Sequence, residues 1–183
     1  MVKNVKVQPQ HRYARIERER RFLVDGFPTN QKVVRVRRIV DRYIRGTALR
    51  LRLQTDQTGP AVFKLTQKIP ERASGAQQGF ITNMYLTEGE YGVLVRLPAK
   101  SLAKIRHSVP PFGIDVFEGQ LKGLAIAEAE FDSADAAGAL TIPSFLADEV
   151  SDDERFTGGR LVEASRQELR KWLAEYGVAL GSR

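Results

Sequence analysis

The chain has 183 residues, 42% hydrophobic and 28% charged, a balance that suits one folded domain with a buried core and excludes wholesale disorder. It contains no cysteine, which rules out disulfides, thiolate metal sites and a cysteine nucleophile. The formal charge of +7 is lopsided, because residues 1–68 hold 17 Lys/Arg against 5 Asp/Glu and the remainder holds 12 against 17. A basic first half implies an anionic partner such as a phosphorylated small molecule, polyphosphate or nucleic acid. No apolar run approaches the roughly 18 residues needed to span a bilayer, and the N-terminus has no signal-peptide pattern. A cytoplasmic location with no membrane partner is therefore expected.

Residues 1–12 are polar and aperiodic and read as a flexible tail; residues 13–183 read as a single domain. Tyr13 to Asp25 is the first predicted strand, stopped by the turn Asp25-Gly26-Phe27-Pro28. Thr29-Asn30-Gln31 opens a short helical turn, and Val33 to Ile44 is extended. Arg45-Gly46-Thr47 turns the chain into the strand Ala48–Gln54. The loop Thr55–Pro60 and the strand Ala61–Lys68 then complete a hairpin. Pro70 to Gly79 reads as a mobile polar loop, Phe80–Thr87 as a strand, and Glu88–Leu97 as a helix. Pro98–Ile105 ends a short helix or turn and begins a strand through His107; strands follow at Ile114–Glu118 and at Leu124–Asp132, and residues 133–142 hold a helical turn. Leu161–Tyr176 is the longest predicted helix, with Leu161, Ala164, Leu169, Trp172 and Leu173 on one stripe and Gly177 as terminator. Eight strands with short turns predict a mainly β (α+β) fold: a closed eight-stranded antiparallel barrel with flanking helices and a C-terminal helix, 161–176.

The charge pattern on those strands is unusual. Glu17, Glu19 and Arg21 stand two apart, and on a strand such positions share a face. The same spacing recurs in Arg50-Leu51-Arg52, Lys104-Ile105-Arg106 and Glu128-Ala129-Glu130. An ordinary β domain buries apolar residues on its inner face. Paired acids and paired bases on several strands predict an enclosed polar interior instead.

These residues, in this order, resemble the CYTH domains, or triphosphate tunnel metalloenzymes. Glu17-x-Glu19-x-Arg21 is similar to the family's N-terminal Glu-x-Glu-x-Lys strand. Further similar elements are Tyr43-Ile44, Leu49-Arg50-Leu51-Arg52, Phe63-Lys64-Leu65-Thr66, Lys104-Ile105-Arg106, Ile114-Asp115-Val116-Phe117-Glu118-Gly119 and the run Gly123 to Phe131. Glu149-Val150-Ser151 and Asp153-x-Arg155-Phe156 complete the set, which spans about residues 13 to 162. The resemblance implies a barrel tunnel whose bases bind a triphosphate and whose acids bind a divalent metal. It assigns Arg50, Arg52, Lys64, Lys104 and Arg106 to the substrate, and Glu17, Glu19, Glu128 and Glu130 to Mg²⁺ or Mn²⁺. Glu17, Glu19, Arg21 and Asp115 take catalytic roles, with Asp115 orienting a cradle base. The implied activity is metal-dependent hydrolysis of inorganic triphosphate or a related polyphosphate or organic triphosphate. Members of the family often pair, so a homodimer is a further expectation.

The donor chemistry is coherent. Arginine forms bidentate phosphate contacts and lysine is a compact point charge, while carboxylates are the hard ligands Mg²⁺ takes. The chain departs from the family pattern where Ile81 and Asn83 stand in place of two acids, where Arg21 replaces Lys, and where Asp41 replaces Gln. Losing two acids makes the tunnel more positive. That motivates a second reading, a non-catalytic polyphosphate- or nucleotide-binding module; an adenylate cyclase is third. A nucleic-acid partner comes last, since RNP-type aromatic motifs and zinc spacings are missing. Plainer readings attach to other residues. Arg35, Arg37 and Arg38 read as a solvated face, and Lys68 reaches either the tunnel mouth or water. His11 and His107 read as incidental, Asp153 and Arg155 as stabilisers of the barrel end, and Trp172 and Tyr176 as packing anchors.

Overall fold

A computed structural model of the chain describes residues 13–27, 30–70 and 77–181. The predicted tail 1–12, with His11, lies outside the described residues, as does most of the predicted loop between Pro70 and Gly79. The strands are β1 (Arg15–Val24), β2 (Arg35–Ile44), β3 (Leu49–Asp56), β4 (Val62–Pro70) and β5 (Gln77–Leu86), followed by β6 (Ala99–Val109), β7 (Phe112–Phe117), β8 (Ala125–Glu130) and β9 (Leu146–Glu149). Each pairing is antiparallel, in the order β5, β4, β3, β2, β6, β7, β8, β1, and β1 then pairs with β5 to close an eight-stranded barrel.

The free edge of β1 is shared between two partners. Arg15 to Glu19 pair with β5, whereas Phe22 and Val24 pair with β9. The short ninth strand thus covers the part of the edge that barrel closure leaves open, which removes a template for unwanted pairing. β9 was not among the predicted strands, because four residues carry too little alternation to register.

Helices sit outside or beneath the barrel. α1 (Glu88–Leu94) begins with a capping box in which Thr87 and Glu90 satisfy each other's backbone N–H groups, and its Tyr91 stacks on Phe63 of β4. α2 (Ala134–Gly138) is capped by Ser133. The predicted helix 161–176 is in fact two: α3 (Gly158–Leu161) and α4 (Arg166–Ala174). The break falls at Ser165, whose hydroxyl accepts from the Glu168 N–H while the Glu168 carboxylate accepts from the Ser165 N–H. That Ser-x-x-Glu signal starts a new helix in place of continuing the old one. The predicted turn at 29–31 does not become a helix at Asn30 and Gln31.

Two apolar clusters hold the molecule together. One forms a floor under the barrel: Leu23, Leu102, Phe117 and Ile126 from the strands meet Phe156, Leu161, Leu169 and Leu173 from the C-terminal segments. Trp172 and Tyr176 pack at its rim, edge-on to Phe156. Asp153 accepts from Arg155 and from the Tyr176 hydroxyl, which pins the loop after β9 to the end of α4. The second cluster lies on the outer wall around Phe22, Phe112, Ile114 and Leu146. Phe156 is 1% exposed, and its truncation leaves a cavity that the rigid barrel rim cannot fill. Phe156→Ala is expected to lower unfolding free energy by about 3–5 kcal/mol, read by urea denaturation on the fluorescence of Trp172.

Candidate functional site

Side chains alternate across each strand, so residues two apart face the same way. The barrel closes with the charged parity inward. Glu17, Glu19 and Arg21 of β1, Arg50 and Arg52 of β3, Lys64 and Lys68 of β4, Lys104 and Arg106 of β6, and Glu128 and Glu130 of β8 all line one cavity of about 520 Å³. It runs from an open mouth to the apolar floor, where Tyr43, Leu102, Phe117, Ile126 and the segment Phe156 to Leu161 close it. Gly158 is required there, because a Cβ at that position would come within 1.9 Å of the Tyr43 hydroxyl oxygen.

Strand register decides which charges meet. Asp41 and Arg52 are opposite one another, and the Arg52 guanidinium donates twice to the Asp41 carboxylate, at 2.7 and 2.8 Å. Arg50 lies 3.6 Å from the same carboxylate. On the other wall Asp115 is opposite Arg106, which donates to both its oxygens at 2.6 and 2.5 Å, and Lys104 also donates to it. Arg106 reaches Glu128 as well. Lys68 bridges Glu17 at 2.5 Å and Glu19 at 3.4 Å. Arg21 lies 3.7 Å from Glu19 and donates to the Ser151 carbonyl at 3.1 Å. The Lys104 ammonium sits 5.5 Å over the ring of Phe117, which braces it from the floor side.

The electrostatics follow from this pairing. Burial disfavours the charged forms of Asp41 and Glu128. Arg52 and Arg50 nevertheless hold Asp41 well below the usual carboxylate range, and Lys104 and Arg106 do the same for Glu128. Burial, then Asp41, pushes the Tyr43 phenol up to about 12, so it stays protonated beside Arg50. Lys64 moves the other way: burial, reinforced by Arg52 and Arg50, lowers it to about 8.

Every substrate and metal residue expected from the sequence lines this cavity. Asp115 is 0% exposed behind Lys104 and Arg106, accepts from both and does not line the cavity, an arrangement that fits the orienting role expected of it. Arg37 is a correction. It is half-buried, donates to Ser108 at 3.0 Å and lies near enough to Arg106 to feel its charge, so the solvated reading holds only for exposed Arg35 and Arg38. His107 stacks on Phe27 and plays no part in the tunnel. Sequence reasoning missed Asp41 as the anchor of Arg52 and left Lys68 undecided. The usable signal was parity, since Asp41 shares a face with Tyr43, and Lys68 with Lys64.

Among the described residues no three acidic groups already converge on one point. The donor set still suits Mg²⁺ or Mn²⁺. Glu17 and Glu19 on β1 stand beside Glu128 and Glu130 on the adjacent β8, with Glu19 and Glu130 directly opposite. Mg²⁺ commonly takes one or two carboxylates and completes its shell with water and phosphate oxygens. In addition, the Nε groups of Arg21 and Arg50 are buried without a hydrogen-bond acceptor. Such orphaned charged donors are costly, and Arg18 and Arg37, which do not line the cavity, share the feature.

A closed antiparallel barrel with cationic and anionic strands facing one channel defines the CYTH-type triphosphate tunnel fold, and this chain has it. Two solved structures of NE1496 are similar to it. One, described as a hypothetical protein, is 27% identical over 81% of this chain and 99% of its own, with a TM-score of 0.53. The other, described as the inorganic triphosphatase NE1496, is 25% identical over 81% of this chain and 95% of its own, also with a TM-score of 0.53. No protein-family model and no curated protein sequence matches the chain. Among the described residues no helix is long and apolar enough to cross a membrane.

The pairing predicts an acid response. Asp41 and Glu128 titrate lower in the folded chain than unfolded, so their contribution is complete above the ordinary carboxylate range and is lost as pH falls through and below it. Thermal melts should therefore show stability falling below about pH 4. Asp41→Asn should flatten that limb and, by leaving Arg52 unpaired, cost about 3–5 kcal/mol at pH 7.

Proposed function

We propose that the tunnel binds a linear triphosphate or related polyphosphate and hydrolyses a phosphoanhydride bond with the help of a divalent ion. The observation that carries this reading is the set of basic side chains, Arg21, Arg50, Arg52, Lys64, Lys104 and Arg106, that line one cavity together with Glu17, Glu19, Glu128 and Glu130. A polyphosphate supplies closely spaced anionic oxygens along a line, and the cations here are held on four strands around such a line. The resemblance to NE1496, described as an inorganic triphosphatase, supports the same substrate class.

In this reading Arg50, Arg52, Lys64, Lys104 and Arg106 bind the phosphate oxygens. Asp41 holds Arg52, and Asp115 holds Lys104 and Arg106, so little reorganisation accompanies the reaction. Water attacks a terminal phosphorus, the bridging P–O bond breaks with its electron pair passing to the leaving phosphate oxygen beside the guanidinium groups, and the water's proton passes to an oxygen of the released phosphates. Arg21 carries a guanidinium, which stabilises charge and does not act as a base. Mg²⁺ or Mn²⁺ held by Glu17, Glu19, Glu128 and Glu130 supplies charge neutralisation and Lewis acidity when bound. The apolar floor shuts one end of the channel against bulk water.

A second reading, binding without turnover, is favoured by one observation. Ile81 is buried and faces the cavity, and the Asn83 amide oxygen is occupied by the Thr66 hydroxyl at 2.8 Å, so β5 adds no carboxylate to the site. A phosphate-release screen of tripolyphosphate and nucleoside triphosphates with Mg²⁺ and Mn²⁺ separates the two. Turnover is expected, with Glu19→Ala and Arg52→Ala each lowering kcat/KM by at least about 100-fold. Calorimetric binding with no phosphate released would favour the binding module, and cyclic AMP made from ATP would identify a cyclase.

A further inference from the structure

The guanidinium groups of the tunnel are not all held alike. Arg52 and Arg106 each donate two bonds to a single carboxylate, that of Asp41 and of Asp115 respectively. Arg21 makes no such pair, and the Glu19 carboxylate stands 3.7 Å away from it. Its guanidinium donates instead to a neutral acceptor, the Ser151 carbonyl, at 3.1 Å. Ser151 also holds the backbone of the same arginine, whose N–H donates to the serine hydroxyl at 2.9 Å. Beside it the Val150 N–H donates to the Arg21 carbonyl at 2.8 Å. Arg21 is 3% and Ser151 2% exposed, so water does not compete for these groups.

The local reason is where β9 stops. That strand ends at Glu149, and the Arg21 N–H takes a side-chain oxygen where a longer strand would offer a carbonyl. Serine suits the place because its hydroxyl accepts and donates at once. It accepts from Arg21 and donates to Glu149 Oε1 at 2.6 Å. Glu149 is fixed in turn by Arg20, which donates to it from Nε at 2.8 Å and from Nη2 at 2.5 Å. The remaining Arg20 nitrogen, Nη1, donates to the Ala137 carbonyl of α2 at 2.9 Å. A chain of hydrogen bonds therefore runs from the outer face of β1, through Glu149 and Ser151, to the guanidinium inside.

We propose that Ser151 is the positioning residue for Arg21, fixing its guanidinium in the tunnel through a neutral contact that leaves the positive charge for a bound polyanion. The inference rests on the reading of the tunnel as a polyphosphate site, and assigns a residue that does not itself line the cavity. A carboxylate at this place would orient the guanidinium equally well but offset its charge, as Asp41 does for Arg52. A carbonyl orients it and leaves its formal charge uncancelled.

The test is titration calorimetry of the full chain with tripolyphosphate, using Ca²⁺ in place of Mg²⁺ or Mn²⁺, on Ser151→Ala, Arg21→Gln and the double variant. Ser151→Ala should weaken binding about tenfold, the worth of one hydrogen bond to a charged group. In the Arg21→Gln background the same change should cost less than about twofold, because the group it positions is gone. In a Lys104→Gln background the full factor of about tenfold should persist, since Lys104 is held by Asp115. Equal weakening in all three backgrounds, the mark of a general loosening of the barrel, would overturn the proposal, as would wild-type affinity in Ser151→Ala. If Ser151→Ala fails to fold, Glu149→Gln reads the same path from its exposed end. It should weaken binding about threefold in wild type and leave Arg21→Gln unchanged; equal loss in both would overturn the proposal. Wild type that binds no tripolyphosphate would defeat the tunnel reading and this inference together. Binding without coupling between Arg21 and Ser151 would defeat the inference alone.

Discussion

Closing a sheet around charged side chains favours those that find a counter-charge within a few ångströms. Two unit charges 4 Å apart interact by about 4 kcal/mol at an effective dielectric of 20, against about 1 kcal/mol in water. Taking each ion out of water costs several kcal/mol, so only well-aligned pairs come near breaking even. Here alignment comes from strand register. Asp41 stands opposite Arg52 and Asp115 opposite Arg106, and in both pairs the guanidinium meets both carboxylate oxygens. The backbone ladder thus does for the tunnel what a preorganised solvent shell does in water.

That arrangement separates stability from chemistry. The interior charges contribute specificity of form more than net free energy, and the free energy of folding comes from apolar burial elsewhere. Leu23, Phe117, Ile126, Phe156 and Leu169 form the floor, and Phe22, Phe112 and Ile114 the outer wall. Each strand serves both purposes through its two faces. On β1 the residues Glu17, Glu19 and Arg21 line the cavity, while Phe22 and Val24 pack outside. Toward the floor the inward parity itself turns apolar at Leu23, where the cavity ends.

The walls are unequal. β1 and β8 carry the carboxylates, β3 and β6 carry bases locked onto Asp41 and Asp115, and β5 carries neither sign. A neutral strand beside β4 adds no carboxylate to balance the bases of β3 and β4, which belong to residues 1–68, where Lys and Arg outnumber Asp and Glu. Positive potential in a cleft with low-dielectric walls concentrates anions. Ile81 and Asn83 therefore belong to the tunnel's electrostatics as much as the charged residues do.

Much of this was legible in the residues alone. Period-two spacing of Glu17 with Glu19, Arg50 with Arg52, Lys104 with Arg106 and Glu128 with Glu130 determined which residues share a face, and turn residues between them determined the number of barrel strands. The ordered motifs pointed to a tunnel, and the solved relatives share its fold. What parity cannot say is which acid meets which base, because that depends on register between strands distant in sequence. Only the closed barrel paired Asp41 with Arg52, withdrew Asp115 behind Lys104 and Arg106, turned Arg37 inward and drew Lys68 to Glu17. Only it showed that Lys64 has no carboxylate within 4 Å among the described residues, since a missing contact is a property of the surrounding strands and not of the lysine. Local sequence sets the direction of a side chain; its counter-charge is set by long-range hydrogen-bonded register.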